Sequence, residues 1–462
     1  MKKIFFDINK IVIGLVLVAV SFASCKKFIA IPANPPTSIT QQQQFADSSK
    51  AMTAIAGIYA YSGSETNAFA YGNGYLTYST GLSADELTYT LTNDNQQFYS
   101  YTLTPLNSGI TSLWSSTYQS IYPVNAVLNG VTNNGGLSAS FQKQITGEME
   151  VVRALYYFNL VNMFGGVPLV TTTSYSATDH LPRASVAAIY TQVVTDLTDA
   201  KKKLTATYPS TGRARPNLYT AIALLAKVNL YLGNWQNAYN EADSVINSGL
   251  YSVTNVPLNS VFFDGSNEAI WQLPANQGYN GVADAQNFIP TYSAPVFLLT
   301  TPLLNAFEAG DQRRQNWVGS TVINNITLYY PYKYKNVQAS ITPTEDQMVL
   351  RLGELYLIRA EAAAHLNNLT QALADINTIR TRAGLAASTA TSQTDILNAV
   401  MHERQVELFC EWGNRWFDLK RTGTAAAVLG AEKTGYTANA ALYPVPQSQI
   451  LLNNTLTQNP GY

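Results

Sequence analysis

Three glutamates, Glu403, Glu407 and Glu411, recur at every fourth residue, a spacing that puts all three on one face of a helix. Carboxylates so grouped can do general acid–base work or hold a cation. They also repel one another by a few tenths of a kcal/mol per pair, about 0.2–0.5 in an exposed helix. A row this dense therefore calls for cationic partners, and Arg404, Arg415 and the arginines of 351–359 are at hand. The expectation is a structural ion network, because buried charges are paired. Arg153, Glu354, Arg359 and Glu361 are read the same way.

Other chemistry is sparse. The histidines His180, His365 and His402 are scattered. His402-Glu403 opens a zinc-protease pattern, but Val406 stands where the second histidine is needed. Neither a nucleophile elbow nor a phosphate-binding glycine loop is present. Cys410 lies in the apolar, helix-like stretch Val406–Cys410 and reads as a buried, inert thiol. No catalytic residue, metal site or cofactor is expected.

Binding chemistry is better represented. Residues 71–101 interleave Tyr71, Tyr75, Tyr78, Tyr89, Phe98, Tyr99 and Tyr101 with Asn73, Asn93, Asp94 and Asn95. Residues 279–334 repeat the theme with Tyr279, Phe288, Tyr292, Trp317 and four further tyrosines, beside Asn280, Asn287, Arg313 and Arg314. Aromatics next to Gly and Asn are expected where backbone is exposed. On that criterion the ligand-contacting candidates are Tyr71, Tyr75, Phe98, Tyr99, Tyr279 and Trp317. Trp235 and Trp271 are expected to be core.

The elements that would carry these residues are mostly helical. Helix is predicted over Ala46–Tyr59, Leu113–Asn129, Phe141–Phe164, Ala184–Leu204 and Thr394–Trp412. The glycine-broken stretch 60–110 is predicted irregular, as is 250–345. Two segments repeat. Ala226 is followed by Trp235, Ala238, Ala242 and Val245; Ala360 is followed at the same offsets by Leu369, Ala372, Ile376 and Ile379. Gly233-Asn234 and Asn367-Asn368 mark the turns. That is the pattern of a tetratricopeptide unit. The fold class is mainly α, with tetratricopeptide-like repeats, long irregular loops and little β.

Lys2, Lys3 and Lys10 precede the apolar run Ile11–Val20, half the length that spans a bilayer, and Ala23-Ser24 leads to Cys25. This is a signal peptide over 1–24, and Phe22-Ala23-Ser24-Cys25 resembles a bacterial lipobox, with Cys25 as the lipidated residue. Residues 25–44, with three prolines and Gln41–Gln44, form a linker. The net charge is −1 and only 12% of residues are charged, so no basic surplus serves nucleic acid. The 29 tyrosines and abundant amides suit neutral polyhydroxylated ligands.

The chain as a whole resembles the SusD/RagB family of outer-membrane nutrient-binding lipoproteins. The resemblance rests on Arg153-Ala154-Leu155-Tyr156-Tyr157-Phe158 with Phe164-Gly165-Gly166-Val167-Pro168, Gly233-Asn234-Trp235, Asn267-Glu268-Ala269-Ile270-Trp271, Arg351–Ala362, Arg382-Ala383-Gly384-Leu385, Glu403–Leu419 and the C-terminal Leu442-Tyr443-Pro444-Val445-Pro446 and Asn459-Pro460-Gly461-Tyr462. It implies an N-terminal region over 45–230 packed with a C-terminal region over 231–462. It also implies a SusC-like TonB-dependent transporter as partner, a glycan ligand, and a lipid anchor at the outer membrane facing the exterior. Lys26-Lys27 depart from the acidic residues that often mark surface export in this group. The alternatives are a peptide-binding or protein-interaction scaffold and, behind them, a glycoside hydrolase.

Overall fold

The computed structural model describes residues 39–61, 71–132, 134–275, 281–291, 293–338 and 344–462. Cys25, residues 1–24 and Tyr279 lie outside them. The principal elements are α1 (Ser48–Tyr61), α2 (Tyr75–Ser83), β1 (Leu87–Tyr89), α3 (Ser108–Val131), α4 (Ala139–Phe164), α5 (Val186–Lys203), α6 (Leu218–Tyr231), α7 (Trp235–Ile246) and β2 (Ala269–Leu273). They continue with α8 (Ala283–Phe288), β3 (Phe297–Leu299), α9 (Gln312–Trp317), β4 (Val318–Ile323), β5 (Ile326–Pro331), β6 (Gln347–Arg351), α10 (Leu352–His365), α11 (Leu369–Arg382), α12 (Gln393–Glu407) and α13 (Asn414–Arg421).

Side-chain caps set where many helices begin. Asn107, Ser138, Ser185, Asn368 and Ser392 each accept a backbone N–H of the first turn, and Asn217 forms a reciprocal capping box with Thr220. Successive helices pack side by side in the order α3, α4, α5, α6, α7, then α10 and α11. The two predicted hairpins are α6–α7 and α10–α11, and α7 packs on α10. Ala226, Ala238, Ala242 and Val245 are buried, as are Ala360, Ala372, Ile376 and Ile379. The small residues let the helix axes approach, as the repeat spacing requires. Gly233 (φ 68°) and Asn367 (φ 60°) take the left-handed turn positions. Trp235, expected in the core, is half-buried and stacks on exposed His365 at 3.8 Å across the two hairpin turns.

Helix α4 is enclosed on every side from Ile145 onward. Its Arg153 donates two hydrogen bonds to Asp196 of α5, at 2.8 and 2.7 Å. Arg359 of α10 does the same to Asp375 of α11, at 2.8 and 2.6 Å. One bidentate clamp thus recurs in two helix pairs, as the paired reading of these residues expects.

Two expectations are corrected. The stretch 60–110 is not irregular throughout: α2 is a regular helix, and every residue after Tyr75 in it is buried. The helix predicted to reach Trp412 ends at Glu407. Cys410 (φ 50°), Trp412 (φ 50°) and Gly413 (φ 77°) then turn the chain in left-handed conformations. Two of these are costly for non-glycine residues. The Cys410 N–H is held by the Glu86 carboxylate at 3.1 Å, and the Glu407 carbonyl accepts from Lys333 and Arg351, both at 2.8 Å. The Cys410 thiol is buried, and burial pushes its pKa well up.

The end of α2 is fastened from the C-terminal part of the chain. The Ser83 and Tyr443 hydroxyls meet at 2.8 Å, and Arg415 grips Asp85 with bonds of 2.7 and 2.6 Å. The buried Lys433 ammonium donates to the Leu82 and Ala84 carbonyls.

Candidate ligand face and ionic core

The glutamate row is a charge network. Glu403 accepts from Arg313 at 2.8 Å and from Arg380 at 2.7 Å. Glu407 is shared by Arg313, Arg351 and Arg382. Glu411 binds Arg351 at 2.9 Å and Lys333 at 2.5 Å. Glu268 joins through Arg351 and Arg382, and Asp311 through Arg313. Arg351 is the only partner that the glutamate spacing anticipates correctly. Arg404 pairs instead with Asp418, Arg415 with Asp85, and Arg359 with Asp375. Arg313, expected beside a ligand, is fully buried inside the network.

Glu308, His402 and Glu403 place potential ligand atoms within 4.8 Å of one another. Arg380 already bridges both carboxylates, at 2.5 and 2.7 Å, and His402 Nε2 is 2.8 Å from the Ala306 carbonyl. A guanidinium occupies the position a cation would need.

The two aromatic-rich stretches meet. β1 pairs antiparallel with β3, matching Leu87 to Leu299 and Tyr89 to Phe297, and β5 packs beside β3. The Phe297 ring lies 4.7 Å from Tyr78, 5.1 Å from Tyr89 and 5.7 Å from Phe288. Above this floor the polar groups form a chain. The Tyr75 hydroxyl donates to Asn95 Oδ1 at 3.1 Å. The Asn95 and Asn93 amides both donate to the Tyr89 hydroxyl, at 3.3 and 2.8 Å. With its lone pairs so engaged, Tyr89 keeps its own O–H to offer outward. Asn287 of α8 donates to the Asn73 carbonyl at 3.0 Å and closes the opposite side.

The site candidates divide sharply. Tyr71, Phe98 and Trp317 are core, at 1%, 0% and 0% exposure, so none can serve as an open stacking platform. Tyr71 lies among Tyr156 and Trp412, Phe98 against Tyr443, and Trp317 beneath Lys333, Arg351 and Arg382. A neighbouring glycine or asparagine marks a turn, and turns also cover cores. Tyr99 is half-buried with Lys433 over its ring at 4.8 Å. Tyr75 is half-buried and props Asn95. Tyr89 and Asn93, named in the stretch but passed over as contacts, end this hydrogen-bond chain, with Asn93 exposed and Tyr89 half-buried. Their signal is a tyrosine followed four and six residues later by amides that can reach back to its hydroxyl.

Gly109 seats Tyr75. A Cβ there would fall 1.6 Å from the Tyr75 hydroxyl oxygen. Gly109→Ala is expected to expel that hydroxyl from its seat and destabilise the fold by about 1–3 kcal/mol, the usual range for overpacking. Urea denaturation measures this, and an unchanged midpoint would rule the seat out.

A layered α-helical scaffold of tetratricopeptide type, with its open polar–aromatic face carried on inserted loops, is the class these features define. The chain belongs to the SusD/RagB family. Residues 305–462 match the family model described as "SusD family", and residues 35–230 match one described as "Starch-binding associating with outer membrane". SusD-like protein P25 of Formosa agariphila is 25% identical over 426 residues, covering 76% of this chain and 80% of that protein. A SusD-like protein of Bacteroides ovatus is 23% identical over 383 residues, covering 70% and 67%. Among solved structures, a SusD superfamily protein of Bacteroides vulgatus superposes with a TM-score of 0.78 at 22% identity, over 90% of this chain and all of that one. A laminarin-binding SusD-like protein superposes with a TM-score of 0.75 at 24% identity, over 90% and 100%.

Proposed function

We propose that this protein captures oligo- or polysaccharide at the Tyr89 face and delivers it to a SusC-like TonB-dependent transporter. It does so from the outer surface of the outer membrane, tethered by a lipid on Cys25. The observation that carries the reading is the convergence of Tyr89, Asn93 and Asn95 over the Phe297 floor. A ring face accepts the C–H side of a sugar, while amides and a free phenolic O–H engage its hydroxyls. The family assignment supports the transporter and the ligand class, and the laminarin-binding relative makes laminarin the first ligand to try. The anchor is supported by the lipobox-like segment. Among the described residues no helix is long and apolar enough to cross a membrane.

Titration calorimetry against laminarin, starch, xylan and mannan tests the ligand. Tyr89→Ala is expected to weaken the bound polysaccharide by about tenfold or more, the equivalent of roughly 1.4 kcal/mol. Affinity unchanged in that variant would exclude the face. Labelling with palmitate, abolished by Cys25→Ala, tests the anchor, and protease accessibility on intact cells tests the side of the membrane.

A further inference from the structure

A concavity sharing no residue with the Tyr89 face opens where residues 254–259 pass α9 and the end of α11. Its volume is about 530 Å³, inside the roughly 300–1,000 Å³ range of small-ligand sites. Asn255, Asn259, Gln312 and Thr381 line it, and all four are exposed. Their side-chain amides and hydroxyl make no hydrogen bond to any described residue, although neighbouring polar side chains of this protein are extensively paired.

At the floor lies Arg382, its side chain 4% exposed. Two of its nitrogens bind Glu268 and Glu407, while its buried Nε has no hydrogen-bond partner among the described residues. No other charged side chain lines the cavity, and the charge of Arg382 is already neutralised by its two glutamates. The complementary ligand is therefore uncharged, small and dense in hydroxyls. Each free amide offers one acceptor and two donors, which match the adjacent hydroxyls of a sugar ring, and Pro257 supplies an apolar edge.

We propose that this cavity is a second binding site, for a neutral monosaccharide or the end of a neutral glycan chain. The inference stands apart from the Tyr89 face.

The test follows the side-chain amide NMR signals of Asn255, Asn259 and Gln312 in the mature chain. Glucose, galactose, mannose, xylose, maltotriose and laminaritriose are added in turn, with glycerol as control. At least one sugar is expected to shift these signals saturably. The shifts should survive in Tyr89→Ala and be lost in Asn259→Trp, which fills the cavity. Asn255→Ala, an exposed change that leaves the cavity open, should weaken the same response severalfold, and circular dichroism checks the fold of each variant. If no sugar in the panel gives a saturable shift, if glycerol does the same, or if the response persists in Asn259→Trp, the site is refuted. Loss of the response in Tyr89→Ala alone would assign all sugar binding to the first face and overturn it as well.

Discussion

Glu407→Gln is expected to destabilise the fold by about 3–5 kcal/mol, the range seen when one partner of a buried ion pair is removed. Glu407 is shared by three guanidiniums, those of Arg313, Arg351 and Arg382. All are enclosed, with side-chain exposures of 0%, 1% and 4%. The amide keeps the shape and removes the charge, so three buried cations lose a common counter-ion. Urea denaturation at neutral pH measures the effect, and a change under about 1 kcal/mol would show the network to be replaceable. The same residue sets an acid limit. Burial alone raises the pKa of its carboxyl, but Arg382, Arg351 and Arg313 outweigh that and hold it well below the usual carboxylate range. Its contribution is therefore complete above the unfolded value of about 4.3 and is lost as the pH falls below it.

Asp284→Asn is expected to act in the opposite direction. Asp284 is buried on α8, and its Oδ2 accepts from Gln347 at 2.8 Å. Burial is the main cause that pushes its pKa up to about 7, with the Glu411 charge adding to it against hydrogen bonds from Gln347 and Thr77 and the Lys333 charge. Between pH 4 and 7, roughly, the unfolded chain has released this proton and the folded chain has not, so stability falls as the pH rises. At a raised pKa of this size the loss reaches on the order of 4 kcal/mol above pH 7. Asparagine imitates the protonated acid and removes that slope. The gap between variant and wild type should be near zero at about pH 4 and should widen by about 1.4 kcal/mol per pH unit above it, leaving the variant more stable near pH 8. Equal stability at both pH values would refute the assignment. Because Asn287 shares α8 with Asp284 and closes the ligand face, the same alkaline shift should loosen that face in the wild type.

The helical frame was legible because its signals are local. Capping residues, small-residue spacing and the Gly233 and Asn367 turns act within a few positions, and the repeat offsets read from Ala226 and Ala360 match the buried faces of both hairpins. The ion network was legible in kind, since a carboxylate row every four residues must be neutralised. Its membership was not: Arg313 and Lys333 reach Glu403 and Glu411 from segments about 80–90 positions earlier, and nothing in spacing encodes such pairing. The same limit explains the site. Tyr71, Phe98 and Trp317 have loop-like neighbours in sequence, but what covers them is Trp412, Tyr443 and the cationic cluster. Only the β1–β3 pairing, across more than 200 residues, shows that Tyr89 packs on Phe297.

The fastenings of α2 bear on how the molecule comes into being. The helix that props the Tyr89 face is closed by Cys410, Arg415, Lys433 and Tyr443, the nearest of them 324 positions downstream of its partner. Contacts of such separation form slowly, because a long loop must close before any of them is made. A chain emerging amino end first cannot complete the seat of the Tyr89 face until Tyr443 has arrived. Premature termination between Glu86 and Tyr443 therefore leaves α2 without one or more of these fastenings.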